Sequence, residues 1–441
     1  MTAAFNFPSA QAGDDLPKDT RVAVLFQRFG PYHHARLNAA GKLMSVWGVE
    51  ACAMEDTYAW AKVEGAAAFT RVTLTDREAG DRRGRLEFQR KLRRALDKIK
   101  PQAVVVPGWF SADALGALGW CVKTNTPTVV MSESTAWDEQ RAGWREWIKG
   151  RLVKLNSAGL AGGTPHADYL AQLGLPRDKI FKGYDIVDNE YFSAKAEEAR
   201  RQKSEVRSQE LPARSGIQPG GSLPENYFLA SARFVEKKNL RRLIEAYARY
   251  REMAQKPEAG SQKPEVRSRK SEIWKLVLLG DGPLKSDLCR LISDLGLQDS
   301  VRLPGFKQYD ELPAYFGLAG AFVHASTTEQ WGLVVNEAMA SGLPVLVSSR
   351  CGCAADLVQE GVNGFQFDPF DIEQLANLMF RISDFRFPIS DFGAASRRII
   401  SGWGPERFAS GLQGAVATAL KNPRPRAGLT DRLLLRLLLR K

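Results

Sequence analysis

Cysteine is scarce in this chain: five in 441 residues, at positions 52, 121, 289, 351 and 353. So sparse and odd a set is no disulfide framework and points to a reducing compartment. Cys351 and Cys353 have one residue between them, and no His or Cys cluster follows, which argues against a zinc-type site. Histidine is scarcer still, with four residues, of which His33 and His34 are adjacent. No run approaches the ~18–20 apolar residues of a membrane span. Residues 1–19 have neither a basic n-region nor an apolar h-region, so no secretory signal is expected. Acids are the minority among the charges, 50 Asp+Glu against 62 Lys+Arg, for a net charge of +12. A basic balance invites nucleic acid, an anionic membrane or phosphate-bearing ligands as partners. The excess is unevenly spread. Residues 421–441 hold seven cations (421, 424, 426, 432, 436, 440 and 441) and one acid, Asp431, so half of the net charge sits in this tail.

What is present is an alternating α/β chain long enough for two domains. Apolar residues make up 44% and charged residues 25%, as in ordinary globular proteins. A strand at 22–26 runs into Gln-Arg-Phe-Gly-Pro and then a helix from Tyr32, with Pro31 suited to the first turn. Strand, glycine turn and helix N-terminus open a nucleotide fold, although a full glycine fingerprint is missing. Gly30, His33 and His34 are therefore candidate ligand contacts. Further strands are expected at 49–54, 71–74, 103–106 and 127–131, with helices at 86–99 and 112–123. Glu133, in Ser-Glu-Ser after the strand at 127–131, is a candidate because ligands in open α/β sheets bind beyond the carboxyl ends of strands. Trp144, Trp147, Ile148, Leu152 and Leu155 recur at helical spacing among Arg141, Arg145, Lys149 and Lys154. That basic amphipathic helix suits a membrane surface or a core helix with solvated cations.

The character changes at 196–225, where Lys, Arg, Glu, Ser, Gly and Pro dominate and a linker with a disordered insert is expected. A second polar insert spans 255–271. The two inserts share a near-repeat, Gln-Lys-Ser-Glu-Val-Arg-Ser at 202–208 and Gln-Lys-Pro-Glu-Val-Arg-Ser at 262–268. Beyond them the α/β alternation resumes, with strands near 227–230, 276–279, 301–303 and 321–325, so a second Rossmann-like domain with a parallel sheet is expected. The expected organisation is a first domain at 1–195, a linker at 196–225, a second domain at 226–400, a closing helix at 401–420 and the basic tail.

The most informative stretch is 327–349, Thr-Thr-Glu-Gln-Trp-Gly-Leu-Val-Val-Asn-Glu-Ala-Met-Ala-Ser-Gly-Leu-Pro-Val-Leu-Val-Ser-Ser. Its spacing predicts a helix from about Gly332 that ends at Gly342, then a buried strand. Glu329 stands just before the helix and Glu337 within it. A helix N-terminus offers unpaired amides to an anion, while the carboxylates suit hydroxyl groups. Arg233 and Lys238 follow the strand at 227–230, and two cations at such a turn can clamp a diphosphate. Gly305 and Phe306 end another strand, where a backbone ledge would suit a base.

These residues carry a resemblance. Arg233, Lys238-Asn239, Gly280-Asp281-Gly282-Pro283-Leu284, Gly305-Phe306 and the run from Glu329 to Pro344 resemble the donor-binding domain of family 4 glycosyltransferases, retaining enzymes of the GT-B fold. The match is strong over 225–380. Tyr32 to Leu37 and Gly183 to Asn189 are similar to one branch of that family. The resemblance implies two Rossmann-like domains facing across a cleft, with a C-terminal helix returning to the first. It implies a nucleoside-diphosphate sugar as donor and a saccharide or lipid-linked acceptor. By carry-over, Arg233 and Lys238 would hold the diphosphate, Glu329 would contact donor-sugar hydroxyls and Glu337 the ribose. Amides at Gly332 and Leu333 would meet phosphate or sugar. No Asp-x-Asp motif occurs, which fits the family's metal-independent habit, and no cofactor is expected. Two departures lie on the acceptor side: Ser132-Glu133 where many members place a histidine, and a single Gly30 where many carry a glycine pair. Trp331 stands where Phe is usual.

In the tail, Arg432, Arg436 and Arg440 fall on one helical stripe with leucines between, so residues 428–441 are expected to meet an anionic membrane surface. The protein is expected in the cytoplasm, peripheral on the inner face of the membrane. An epimerase or hydrolase on the same fold is the rival enzyme. The rival outside enzymes is a nucleic-acid-binding protein, against which stand the tail-heavy charge and the lack of aromatic-studded sheet motifs.

Overall fold

The computed structural model describes residues 16–53, 67–76, 82–209, 223–255, 273–384, 386–422 and 425–439. Of the linker with its insert expected at 196–225 and the insert expected at 255–271, residues 210–222 and 256–271 lie outside the described residues, as do most of the N-terminal lead-in and Arg440. The chain forms two compact units, one of residues 1–188 with 403–441 and the other of residues 189–402.

The first unit contains β1 (Arg21–Phe26), α1 (Pro31–Gly41), β2 (Ser45–Cys52), β3 (Thr70–Thr75), α2 (Arg82–Ile99), β4 (Ala103–Pro107), α3 (Ala112–Thr124), β5 (Thr128–Ser132), α4 (Gly143–Val153), β6 (Ala158–Ala161), α5 (Thr164–Gln172) and β7 (Ile180–Lys182). Its seven parallel strands run in the order β3-β2-β1-β4-β5-β6-β7. The central strands are continuous apolar runs such as Ala-Val-Val-Val in β4, as burial on both faces requires. One face is covered by α2, α3, α4 and α5, whose apolar residues share one core.

The second unit opens with α6 (Asn189–Gln209) and continues through β8 (Tyr227–Ser231), α7 (Leu240–Gln255), β9 (Lys275–Leu279), α8 (Lys285–Asp294), β10 (Val301–Gly305), α9 (Leu312–Leu318), β11 (Ala321–His324), α10 (Leu333–Ala340), β12 (Val345–Ser348), α11 (Ala354–Leu357), β13 (Gly364–Phe367), α12 (Ile372–Ser383) and α13 (Ile389–Ser401). Its sheet has the order β10-β9-β8-β11-β12-β13, all parallel. In both sheets the first strand lies beside the strand at which the chain reverses its direction of winding, β4 in the first and β11 in the second. Such switch points leave a crevice at the carboxyl ends, where this fold class binds ligands.

The first domain was expected to end at 195, but α6 belongs wholly to the second unit. The expected linker is helical over 196–209. Phe192 and Ala196 are buried, Phe192 packing edge-on against Phe316 of α9, and the helix continues outward on Lys, Arg, Glu and Gln. These are good helix formers, and their polarity imitates a disordered segment in sequence.

The chain then returns to the first unit with α14 (Pro405–Lys421), which packs on α1, and α15 (Leu429–Leu438), which packs on α3. Residues 428–441 were expected to be a surface anchor. One side of that helix packs inward, where Leu435 is buried in the first unit's core, with Leu434 and Leu438 packed against it. The opposite side, with Leu429, Leu433 and Leu437, is exposed. No disulfide joins any of the five cysteines.

Candidate functional site

Four adjacent strands of the second unit, in the order β10-β9-β8-β11, deliver the sequence-predicted residues to one edge of the sheet. After β8 the chain turns through Ala232-Arg233-Phe234. Phe234 is fully buried, and its N–H donates to the Asp281 carbonyl at 2.9 Å. The turn after β9 lies so close that a Cβ on Gly280, itself at φ 127°, would stand 1.9 Å from the Ala232 carbonyl oxygen. The glycines thus press the Arg233 turn into place, and Arg233 itself is exposed.

A 3-10 turn, Glu236–Lys238, follows. It ends on Asn239 in the left-handed region (φ 56°), which Asn tolerates better than most residues. The buried Asn239 amide donates to the carbonyls of Ala325 (3.1 Å) and Pro369 (2.7 Å). It therefore rivets the β8–α7 turn to the end of β11, which fixes Lys238 beside Glu329. Lys238 Nζ donates to Glu329 Oε2 in a pair whose side chains are 15% and 12% exposed.

Glu329 has two further neighbours. Ser326 Oγ lies 3.3 Å and His324 Nε2 3.4 Å from the same oxygen. Burial would push the Glu329 carboxyl up, but the His324 hydrogen bond and the Lys238 charge outweigh it and hold the group well below the usual carboxylate range. Burial, with the Lys238 charge, holds His324 below its ordinary value despite the Glu329 carboxylate. At neutral pH Glu329 is therefore a carboxylate and His324 a neutral imidazole. The Glu329 backbone is clamped as well, its N–H donating to Arg350 O (3.2 Å) and its carbonyl accepting from Gly352 N (3.1 Å).

Gly332 caps α10 at φ 103°, a conformation that favours glycine, and sends Leu333 into the first turn. Trp331 is buried, and its indole N–H donates to Asn336 Oδ1 at 2.9 Å, so here it is a packing residue. Glu337 is fully buried within α10, unlike Glu329. At the far side Phe306 is exposed beside Gly305, around whose Cβ position there is open space.

The candidates of the first unit also stand at strand ends, after β1 and β5. His33 is engaged with its own helix: Nδ1 accepts from Gly30 N at 3.1 Å, and the ring lies 4.4 Å from that of Phe26. Burial, and then the Arg36 charge, push its pKa down to about 3. His34 is half-buried, with Nδ1 3.0 Å from Asn38 Nδ2. Burial and Arg71 lower its pKa. Beneath them Arg36 donates to Asp185 Oδ1 (3.4 Å) and to the Ile186 carbonyl (3.2 Å) and lies over the Tyr184 ring. Burial raises the Asp185 carboxyl, and the Glu133 carboxylate adds to the effect, which places Glu133 beside this cluster.

The structure thus joins Lys238 to Glu329 and sets Arg233, Gly305-Phe306 and Gly332-Leu333 along the same edge. Sequence reasoning missed His324, Ser326 and the riveting role of Asn239. The signal for His324 was one of only four histidines ending an apolar strand five residues before Glu329.

Two family models match the chain, a glycosyl transferase 4-like domain over residues 34–181 and glycosyl transferases group 1 over residues 218–384. The sulfoquinovosyl transferase of Arabidopsis thaliana is 41% identical over 102 residues, 22% of this chain and 19% of that protein. The alpha-monoglucosyldiacylglycerol synthase of Streptococcus pneumoniae is 30% identical over 163 residues, 36% of this chain and 32% of that protein. These alignments span about a third or less of the curated relatives' length. Among solved structures, HepE of Anabaena in complex with UDP and glucose superposes with a TM-score of 0.61 at 18% identity, covering 87% of this chain and 95% of that one. With two parallel Rossmann-like sheets, matching models over both of them and the Lys238–Glu329 edge in the second, the chain belongs to the family 4 glycosyltransferases of the GT-B fold.

Proposed function

We propose that the protein transfers a sugar from a nucleoside diphosphate to a saccharide, polysaccharide or lipid-linked acceptor, with retention of anomeric configuration. The observation that carries this reading is the Lys238–Glu329 pair at the second unit's switch point, with the exposed Arg233 on the neighbouring turn. As the donor bond breaks, negative charge grows on the departing diphosphate, and fixed positive groups stabilise it most at that moment. Arg233 and Lys238 supply such groups, and the first amides of α10, near Gly332 and Leu333, add theirs. Glu329, held ionised, accepts hydrogen bonds from donor-sugar hydroxyls. Phe306 offers a face to the base. Glu337 supports the ribose side from within α10. The reading needs no metal, because the cations and amides already provide the positive field.

The first unit supplies the acceptor side, through the turn at Gly30, His33 and His34 and through Glu133. No helix among the described residues is long and apolar enough to cross a membrane, and a lipid-linked acceptor would be met at the bilayer surface from the cytoplasmic side. That HepE was solved with UDP and glucose supports a sugar nucleotide as the first donor to try. The test is a thermal-shift screen against uridine, guanosine and adenosine diphosphate sugars, since a ligand that binds only the native state raises apparent stability. One donor series should raise the melting temperature of the wild type but not that of Lys238→Ala. No shift with any sugar nucleotide, or equal shifts in both proteins, would sink the reading. Donor cleavage that does not depend on acceptor would instead favour a hydrolase.

A further inference from the structure

The first unit carries an exposed face that the transfer chemistry does not use, built from helices distant in sequence. On α4, Trp144 is 65% and Trp147 54% exposed, with Arg145 over the Trp144 ring and Arg151 over the Trp147 ring. Bulky indoles left in solvent on one helix are uncommon, because their burial elsewhere would be favourable. On α15, Leu429, Leu433 and Leu437 are 88%, 58% and 52% exposed and alternate with the exposed Arg432 and Arg436.

The two helices are joined. Arg151 Nε donates to Asp431 Oδ1 at 2.7 Å, and Asp431 is buried while it also accepts from Gly428 N. The one acid of α15 is therefore turned inward. On α4, Glu146 is likewise engaged with Lys149 and the Tyr169 hydroxyl. Helices α2, α3, α4 and α15 all feed the same core on one side of the sheet. Beside α3, α2 adds the exposed cations Arg90, Arg93, Arg94 and Lys98.

We infer that α4, α15 and the cationic side of α2 form one docking face for an anionic membrane surface, with Trp144, Trp147, Leu433 and Leu437 entering the headgroup layer. The inference rests on the proposed lipid-linked acceptor and extends the membrane contact expected of residues 428–441 to a second and a third helix. Apolar groups among cations, with Asp431 and Glu146 engaged within the protein and the exposed Glu87 and Asp97 of α2 outnumbered by its cations, complement a bilayer interface with anionic headgroups. Indoles prefer that interface. A second copy of this chain would bring like charge to like charge, and exposed leucines add nothing to a nucleic-acid contact. Such a face would hold the first unit against the surface from which a lipid-linked acceptor is drawn.

The test is co-sedimentation of the full chain with phosphatidylcholine vesicles, with and without about one third phosphatidylglycerol. Binding is expected on the anionic vesicles, weak on the neutral ones and falling with added salt. Trp144→Ser with Trp147→Ser, and separately Leu433→Ser with Leu437→Ser, should each lower the partition coefficient about tenfold. Far-UV circular dichroism and the sugar-nucleotide thermal shift should stay as in the wild type. No binding, equal binding to both vesicles, or an α4 variant that binds like the wild type overturns the inference. So does a dimer in vesicle-free solution that the tryptophan variant dissolves. Loss of vesicle binding with the donor shift intact leaves the transferase reading standing, and vesicle binding without any donor shift leaves the membrane face standing.

Discussion

Lys238 and Glu329, 91 residues apart in sequence, neutralise one another at the second unit's switch point, each almost withdrawn from water. Lys238 has Glu329 as its partner, and Glu329 is also approached by His324 and Ser326. Arg233 is exposed, and it makes no ion pair among the described residues. A donor would therefore exchange one strong contact for two, phosphate to Lys238 and sugar hydroxyl to Glu329, while Arg233 starts uncommitted.

Removing either partner should be costly in turnover. Glu329→Ala and Lys238→Ala are each expected to lower kcat by about 10²–10³-fold. The double variant should lose much less than the product of the two, because the residues act as a unit. Steady-state release of the nucleoside diphosphate measures both effects. Wild-type turnover in either single variant would remove the assignment.

Asn239→Gly would relieve the left-handed backbone at 239 yet leave the Ala325 and Pro369 carbonyls without their donor. The expected cost is about 1–3 kcal/mol of stability, measured by urea unfolding. A rise in KM for the donor should accompany it, since Lys238 would no longer be fixed. An unchanged unfolding midpoint would show that the rivet contributes nothing.

The acid response follows from the histidines. Burial lowers the folded-state pKa of His33 to about 3, so between its ordinary value near 6.5 and about 3 the unfolded chain binds the extra proton. Stability from this group is full above that window and is lost as pH falls through it, by at most about 1.4 kcal/mol per pH unit. His324 shifts in the same direction. Urea midpoints at pH 7.5, 6 and 5 should fall in that order, and His33→Gln should flatten the trend. A slope as steep in the variant would exclude His33 as its source.

Within α15, neighbouring leucines should behave differently. Leu435→Ala empties a buried position and should cost about 2–5 kcal/mol. Leu437→Ala, at an exposed position, should stay within about 0.5 kcal/mol. For the same reason a deletion of 428–441 removes part of the core along with the outer face, and equal costs for the two substitutions would contradict the docking of this helix.

Most strands of both sheets were legible in sequence because they are short apolar runs ended by glycine or polar turns. The stretch from Glu329 to Pro344 was legible because its acids, glycine and helix spacing sit at fixed intervals. What escaped depended on tertiary partners. His324 looks like one more residue of a buried strand until Glu329 is folded against it. The depth of Glu337 follows from the packing of α10, which its helical spacing does not reveal. Leucines at 433–435 and 437–439 surround the tail helix, so their pattern could not tell Leu435, which faces the core, from Leu437, which does not. In α6 the buried Phe192 and Ala196 hold a helix whose remaining residues have the composition of a linker.

The two glycine turns at the carboxyl edge differ in what they would let evolution or an engineer change. At Gly280 and Gly282 an added Cβ would run into the backbone of the Arg233 turn, at 1.9 Å and 2.7 Å, so variation there is paid in misplacement of the phosphate-facing cation. At Gly305 the surrounding space is open, although its φ of 84° still favours glycine, and the neighbouring Phe306 is exposed. Half of the donor edge is thus frozen while the other half is permissive. Libraries that aim to exchange one nucleotide base for another belong at 306–308, where new side chains can be sampled without loosening the grip on the diphosphate.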